Sequence, residues 1–193
     1  GNGRTSFLSR LFSGKDKRLP VRGLYIHGLV GRGKTMLMDT FFAACPVSAK
    51  RRVHFHAFMQ DAHERIHAHR QAFKRGENNE EDPIAPVARD LAKEARLLCF
   101  DEFHVLDIAD AMILSRLFKV LFEEGLVLVA TSNVVPDDLY FNGLNRELFL
   151  PFIALLKGNA DIFNLEAKMD YRCERLKNMA IYRTPLGKET DAA

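Results

Sequence analysis

With 193 residues the chain is long enough for one sizeable core and short for two, and a hydrophobic share of 47% with 27% charged residues is that of a water-soluble globular domain. A net charge of only +3, from 28 basic and 25 acidic residues, gives no case for nucleic acid or an anionic membrane as a partner. No apolar run approaches the roughly 20 residues of a membrane helix, and Cys45, Cys99 and Cys173 show no paired spacing, so a reducing, cytoplasmic setting is expected.

In chain order, residues 1–20 form an N-terminal extension in which Ser6 to Phe12 can make two helical turns, with Phe7, Leu8, Leu11 and Phe12 on one side and Gly14 as a stop. A buried strand follows at Gly23–His27. It runs into Gly28, Leu29, Val30, Gly31, Arg32, Gly33, Lys34 and Thr35, which fit G-x-x-x-x-G-K-[ST]. A glycine-rich turn of this kind lets backbone N–H groups close around phosphates, while Lys34 neutralises their charge. The helix expected from Thr35 to Ala44 aims its N-terminus at the same place. The dinucleotide fingerprint fits poorly, because Met36 stands where its third glycine belongs. Turn chemistry at Pro46–Lys50 is followed by an alternating strand at Val53–His56.

A long polar helix is expected from His56 to Arg75, and it contains His63-Glu64-Arg65-Ile66-His67, the spacing of a zinc hydrolase. The extended form of that motif would need Gly at Arg70 and His at Phe73, and it has neither. Five of the seven histidines lie between His54 and His69, so such a pairing arises by density alone, and zinc is the minor reading. An acidic loop, Gly76–Pro83, leads to a helix ending at Arg96.

Leu97-Leu98-Cys99-Phe100 is a continuous apolar run ending in Asp101-Glu102. A strand inside a parallel sheet reads this way, and its carboxyl end is where ligands sit. Two adjacent acids there are costly unless they meet a cation or polar ligand. Asp101 is expected to be the partner of Mg²⁺, and Glu102 to serve as the base or to orient a water. Ile108–Glu124 has helical spacing, and Leu126–Asn133 reads as another buried strand whose tip carries Thr131, Ser132 and Asn133. Asn133 is read as a holder of the water or γ-phosphate, with a plain turn residue as the alternative. Arg146 is the lone arginine before a final strand at Asp161–Leu165 and is a candidate to stabilise charge on the γ-phosphate.

The order of glycine loop, Asp-Glu strand, Thr-Ser-Asn strand and lone Arg resembles the AAA+ class of P-loop ATPases. More narrowly, Gly31-Arg32-Gly33-Lys34-Thr35, His54-Phe55-His56, Cys99-Phe100-Asp101-Glu102-Phe103, Asp110-Ala111-Met112, Ala130-Thr131-Ser132-Asn133, Asn142-Gly143-Leu144 and Asp170-Tyr171-Arg172 resemble the ZapE-type cell-division ATPases and their mitochondrial relatives. The resemblance runs from about Arg22 to Arg172. It implies ATP hydrolysis with Mg²⁺, with Lys34 and Thr35 holding phosphate and metal, Asp101 as metal partner, Glu102 as catalytic acid, Asn133 as a sensor and Arg146 as a finger reaching into a neighbouring protomer's site. It also implies a homo-oligomer that remodels a protein partner, in bacteria FtsZ polymers at the division ring on the inner membrane. It gives His63-Glu64 no partner at His67. Leu29 departs from a frequent glycine, Phe103-His104 differ, and the family's helical lid does not fit in residues 173–193. The expectation is thus a three-layer α/β P-loop NTPase core at residues 21–172, around a parallel sheet of about five strands and with the lid largely missing. Such a core could serve as an ATPase or as a nucleotide-dependent switch with little turnover. A P-loop kinase is a further alternative, but it leaves Asn133 and Arg146 unexplained.

Overall fold

A computed structural model describes residues 21–165 apart from 30 and 32. The elements run β1 (Gly23–His27), α1 (Lys34–Ala44), β2 (Lys50–His54), α2 (Phe55–Lys74), α3 (Ile84–Glu94), β3 (Leu97–Asp101), α4 (Ile108–Glu123), β4 (Val127–Ser132), α5 (Leu150–Asn159) and β5 (Ala160–Asn164). Short 3-10 turns at Pro136–Asp138 and Arg146–Leu148 interrupt the segment between β4 and α5. The amphipathic stretch Ser6–Phe12, the boundary at 172 and the C-terminal remnant lie outside the described residues.

The five strands form one parallel sheet in the order β2-β3-β4-β1-β5. Parallel strands need helical crossovers, and those crossovers cover the sheet's faces. One face, with Tyr25, Leu98, Phe100, Leu128 and Ala130, joins the buried sides of α2, α3, α4 and α5 in a single core. Aromatic rings carry it: Phe58–Phe100 at 4.9 Å between centroids, Phe100–Phe118 at 6.1 Å and Phe118–Phe152 at 5.5 Å, set mostly edge to face as ring quadrupoles prefer. The other face meets α1 in a smaller cluster of Leu97, Cys99, Val129 and Met38. Burial there pushes the Cys99 thiol up to about 12, so it is an inert core residue. The result is three layers around a five-stranded parallel sheet, the expected P-loop architecture.

The helix expected to end at Arg96 stops at Glu94, the strand expected over Leu126–Asn133 is a residue shorter at each end, and two other strands are shifted toward earlier residues. The second strand is Lys50–His54, not Val53–His56, and α2 begins at once with buried Phe55. The reason is position. β2 is an edge strand paired only with β3, so it accepts three consecutive cations that hide its pattern. Each cation is spoken for locally: Lys50 Nζ donates to the Phe42 and Cys45 carbonyls at the end of α1 (2.5 and 2.8 Å), Arg51 pairs with Asp61 (2.8 Å), and Arg52 pairs with Asp101 (2.6 Å). The last strand begins one residue early, at Ala160. It follows α5, whose Pro151 sits in the first turn, where a missing N–H costs nothing. No helix among the described residues is long and apolar enough to cross a membrane.

Phe118, on α4, is fully buried and touches the rings of Phe58, Phe100, Phe122 and Phe152. Phe118→Ala is expected to cost about 3–5 kcal/mol of stability, as large-to-small changes in close-packed cores do. Urea unfolding followed by circular dichroism would read this as a lowered midpoint at unchanged slope.

Candidate functional site

The site lies where the strands end, and β4 builds it. β4 stands between β1, which enters the glycine loop, and β3, which ends in the carboxylates. Two strand spacings therefore separate the tips of β1 and β3, about 10 Å. The tip of β4 is bonded to both. Gly28 N–H donates to the Ser132 carbonyl (3.3 Å), Phe103 N–H to the Thr131 carbonyl (2.7 Å), and the Ser132 hydroxyl to the Phe103 carbonyl (2.7 Å). The Thr131 hydroxyl lies 3.4 Å from both the Glu102 N–H, which it accepts, and the Phe100 carbonyl, to which it donates. Below them the buried Tyr25 hydroxyl donates to the Val134 carbonyl (2.9 Å), and burial raises its pKa so that it stays a donor. The small polar residues at the end of β4 thus serve first as fasteners between the two halves of the site.

Around the glycine loop, Gly31 and Gly33 adopt φ of 80° and 79°, left-handed conformations that an L side chain resists. Gly33 is the N-cap of α1 and offers no side-chain acceptor, and the first turn of α1 holds no acid. The leading N–H groups of α1, with their positive end of the helix dipole, are thereby left to an anion. Lys34 Nζ donates to the carbonyls of Gly28 (2.6 Å) and Leu29 (2.7 Å), folding the loop over itself. Thr35 is exposed in the first turn of α1. Val30 and Arg32 lie outside the described residues.

Across β4, Asp101 is buried at 8% exposure while its neighbour Glu102 is exposed. Asp101 Oδ2 accepts from Arg52 Nε, whereas Asp101 Oδ1 is buried with no partner. A carboxylate oxygen without a donor in a buried setting suits a hard cation, so the residues present fit Mg²⁺. Glu102 sits at φ 53°, an unusual backbone for a glutamate. It is held there by its N–H on Thr131 and by its carbonyl, 2.6 Å from the His104 ring nitrogen. Asn133 is exposed just past the end of β4, between the two halves.

Arg146 lies in the 3-10 turn before α5. Its guanidinium donates to the Asp137 carbonyl and lies 5.6 Å from the Phe141 ring centroid, and its Nε is buried without a partner. The H-E-x-x-H histidines do not converge. His63 Nε2 lies 2.7 Å from Asp110 on α4, while His67 turns toward Gln71 (3.4 Å). Among the described residues no three His, Cys, Asp or Glu side chains gather to hold a metal. The residue that sequence reasoning missed is Arg52, which joins Asp101 to Asp39 on α1. The run Lys50-Arg51-Arg52 was its only signal, and a charge run reads as a solvated face.

Residues 2–193 match the family model described as AFG1-like ATPase. The chain is 50% identical over 165 residues to the lactation elevated protein 1 homolog B of Danio rerio, covering 84% of this chain and 33% of that protein. It is 47% identical over 176 residues to the cell division protein ZapE of Escherichia coli K12, covering 91% of this chain and 45% of that one. An uncharacterised protein of Schizosaccharomyces pombe is 41% identical over 189 residues, with 92% and 41% covered. The chain therefore spans between a third and just under half of these curated relatives.

Ser132→Ala removes the hydroxyl that bonds the Phe103 carbonyl and accepts from Val134 N–H (3.3 Å). Leaving those buried groups unpaired is expected to cost about 1–3 kcal/mol. Hydrogen exchange should then show faster opening at Phe103 and Val134, with β5 unchanged.

Proposed function

The chain belongs to the AFG1-like ATPase family, and we propose that it binds ATP at Gly28–Thr35 and hydrolyses it with Mg²⁺, using Asp101 as metal partner and Glu102 to activate water. The observation that carries this reading is the pairing of an uncapped helix N-terminus behind left-handed glycines with a buried, half-satisfied carboxylate two strands away. The first suits phosphate and the second suits a cation.

Each residue's task follows from its place. Gly31, Gly33 and the leading amides of α1 bind phosphate oxygens, and Lys34 exchanges its two loop carbonyls for phosphate charge. Thr35 and Asp101 hold the metal, which when bound neutralises charge on the β- and γ-phosphates. Glu102, exposed beside Asp101, takes a proton from the attacking water, and Asn133 orients that water from the tip of β4. Arg146 is held on its own Asp137 carbonyl. It serves as a finger for a second copy, which makes this a homo-oligomer with shared sites. Leu106 (81% exposed), Leu144 (68%) and Phe141 (61%) supply apolar surface for that contact, on the same stretches of chain as Arg146 and the segment after Glu102. The work done by hydrolysis is the remodelling of a protein partner. For bacterial relatives the name cell division protein ZapE points to the division machinery, with FtsZ polymers as the candidate substrate. A switch with little turnover is the second reading, favoured by the hold of Asp137 on Arg146 within the same chain.

Phosphate release per protomer is expected to climb with protein concentration. Lys34→Ala should abolish ATP binding. Glu102→Gln should keep binding and lower turnover by about 10²–10⁴-fold, the usual worth of a positioned base. Arg146→Ala mixed with Glu102→Gln should regain activity that neither has alone. Flat activity per protomer and no regain on mixing would leave the switch reading in place of shared sites.

A further inference from the structure

Arg52 lies on β2 at the register of Cys99, two residues before the carboxylate at the tip of β3. Its guanidinium is committed in two directions. Nε donates to Asp101 Oδ2 at 2.6 Å, and a terminal nitrogen donates to Asp39 on α1, one turn beyond Thr35. The side chain is 22% exposed and Asp101 only 11%, so the link to Asp101 is shielded from water rather than a surface pairing. Hydrogen bonds to Asp101 and then Asp39 raise the Arg52 pKa still further, so the group is a permanent cation. The rigid guanidinium plane sets the direction of both bonds at once, holding one oxygen of each of two carboxylates, which the point charge of an ammonium does less well. What remains of Asp101 is a single buried oxygen with no donor.

We propose that Arg52 is the positioning residue of the metal site: it clamps Asp101 through Oδ2 so that Oδ1 alone faces a divalent cation, and through Asp39 it ties that carboxylate to the helix that carries Lys34 and Thr35. This rests on the reading of Asp101 as the metal partner. The clamp does two things at once. It offsets the charge of a strand end that otherwise crowds Asp39, Asp101 and Glu102, and it removes the rotation by which Asp101 would turn its free oxygen away. Groups that orient a metal ligand from behind are typically worth about 10–100-fold in metal affinity. A pure charge effect has the opposite sign, because removing a nearby cation would tighten the binding of a second one.

The test uses the full chain with Mn²⁺ as probe. Electron paramagnetic resonance follows free Mn²⁺ as it is titrated into protein holding a non-hydrolysable ATP analogue. Arg52→Gln is expected to weaken Mn²⁺ binding by about tenfold or more, while affinity for the analogue in the presence of chelator stays within about twofold. Arg52→Lys, which keeps the charge and gives up the fork, is expected to lie between wild type and Arg52→Gln. Arg51→Gln is the control for a lost ion pair in the same strand, since Arg51 pairs with Asp61 on α2, and it should bind Mn²⁺ as wild type does. Unchanged or tighter Mn²⁺ binding in Arg52→Gln overturns the inference, tighter binding marking Arg52 as a competing cation. Should Arg52→Gln fail to fold, wild-type affinity in Arg52→Lys overturns it equally. If Asp101→Asn leaves Mn²⁺ affinity untouched, the assignment of Asp101 fails instead, and the two failures are thereby told apart.

Discussion

The fastening of β4 to its two neighbours is the constraint on which the rest of this molecule depends. The phosphate loop and the carboxylates arise on strands that are not adjacent, and each is a poor site alone. A helix N-terminus without a cation partner binds any anion weakly, and a buried carboxylate without a phosphate has little claim on a metal. Thr131 and Ser132 join the two across one strand by bonds to Gly28, Glu102 and Phe103, so the halves keep a fixed separation whether or not a ligand bridges them. The aromatic core under Phe100 and Phe103 anchors the same strand ends from below. Site geometry is thus inherited from sheet geometry, with the hydroxyls of two small residues as joints on the side of β3.

The two faces of the sheet are unequal, and this shapes what each can do. Four helices and a chain of stacked and edge-on rings bury one face. The other carries α1 and a small cluster, with Leu24 and Val127 only partly covered. The helix behind the glycine loop therefore rests on the thinner side of the fold. Polar links hold it along its length: Lys34 on the loop carbonyls at its start, Arg52 tying Asp39 to Asp101, and Lys50 on its last carbonyls. Polar links can be exchanged for ligand contacts at little cost, which interdigitated rings cannot.

What could be read in the sequence was whatever one periodicity or one spacing carries by itself. β1 and β3 were legible because a strand buried on both faces is a plain apolar run, and the glycine loop because its φ values demand glycine at Gly31 and Gly33. β2 was misplaced by three residues at its start because an edge strand obeys charge pairing rather than burial. The α5 helix was not anticipated, since its apolar residues surround it on all sides and show no single face. Asp110, which takes up His63, and Arg52, which takes up Asp101, were out of reach for another reason. Their partners lie 47 and 49 residues away along the chain, and only the folded sheet brings them together.

The left-handed backbone at Glu102 sets stability against the proposed chemistry at a single position. A glutamate there holds a conformation that glycine or asparagine would adopt with less strain, a difference on the order of 1 kcal/mol. Any procedure that ranks variants of this chain by melting temperature or by yield of folded protein will drift toward replacing that residue, and will do so without disturbing the fold. If Glu102 activates water as proposed, collections of robust variants of this chain would be enriched in proteins that look better made and do less, so a screen for robustness should hold position 102 fixed.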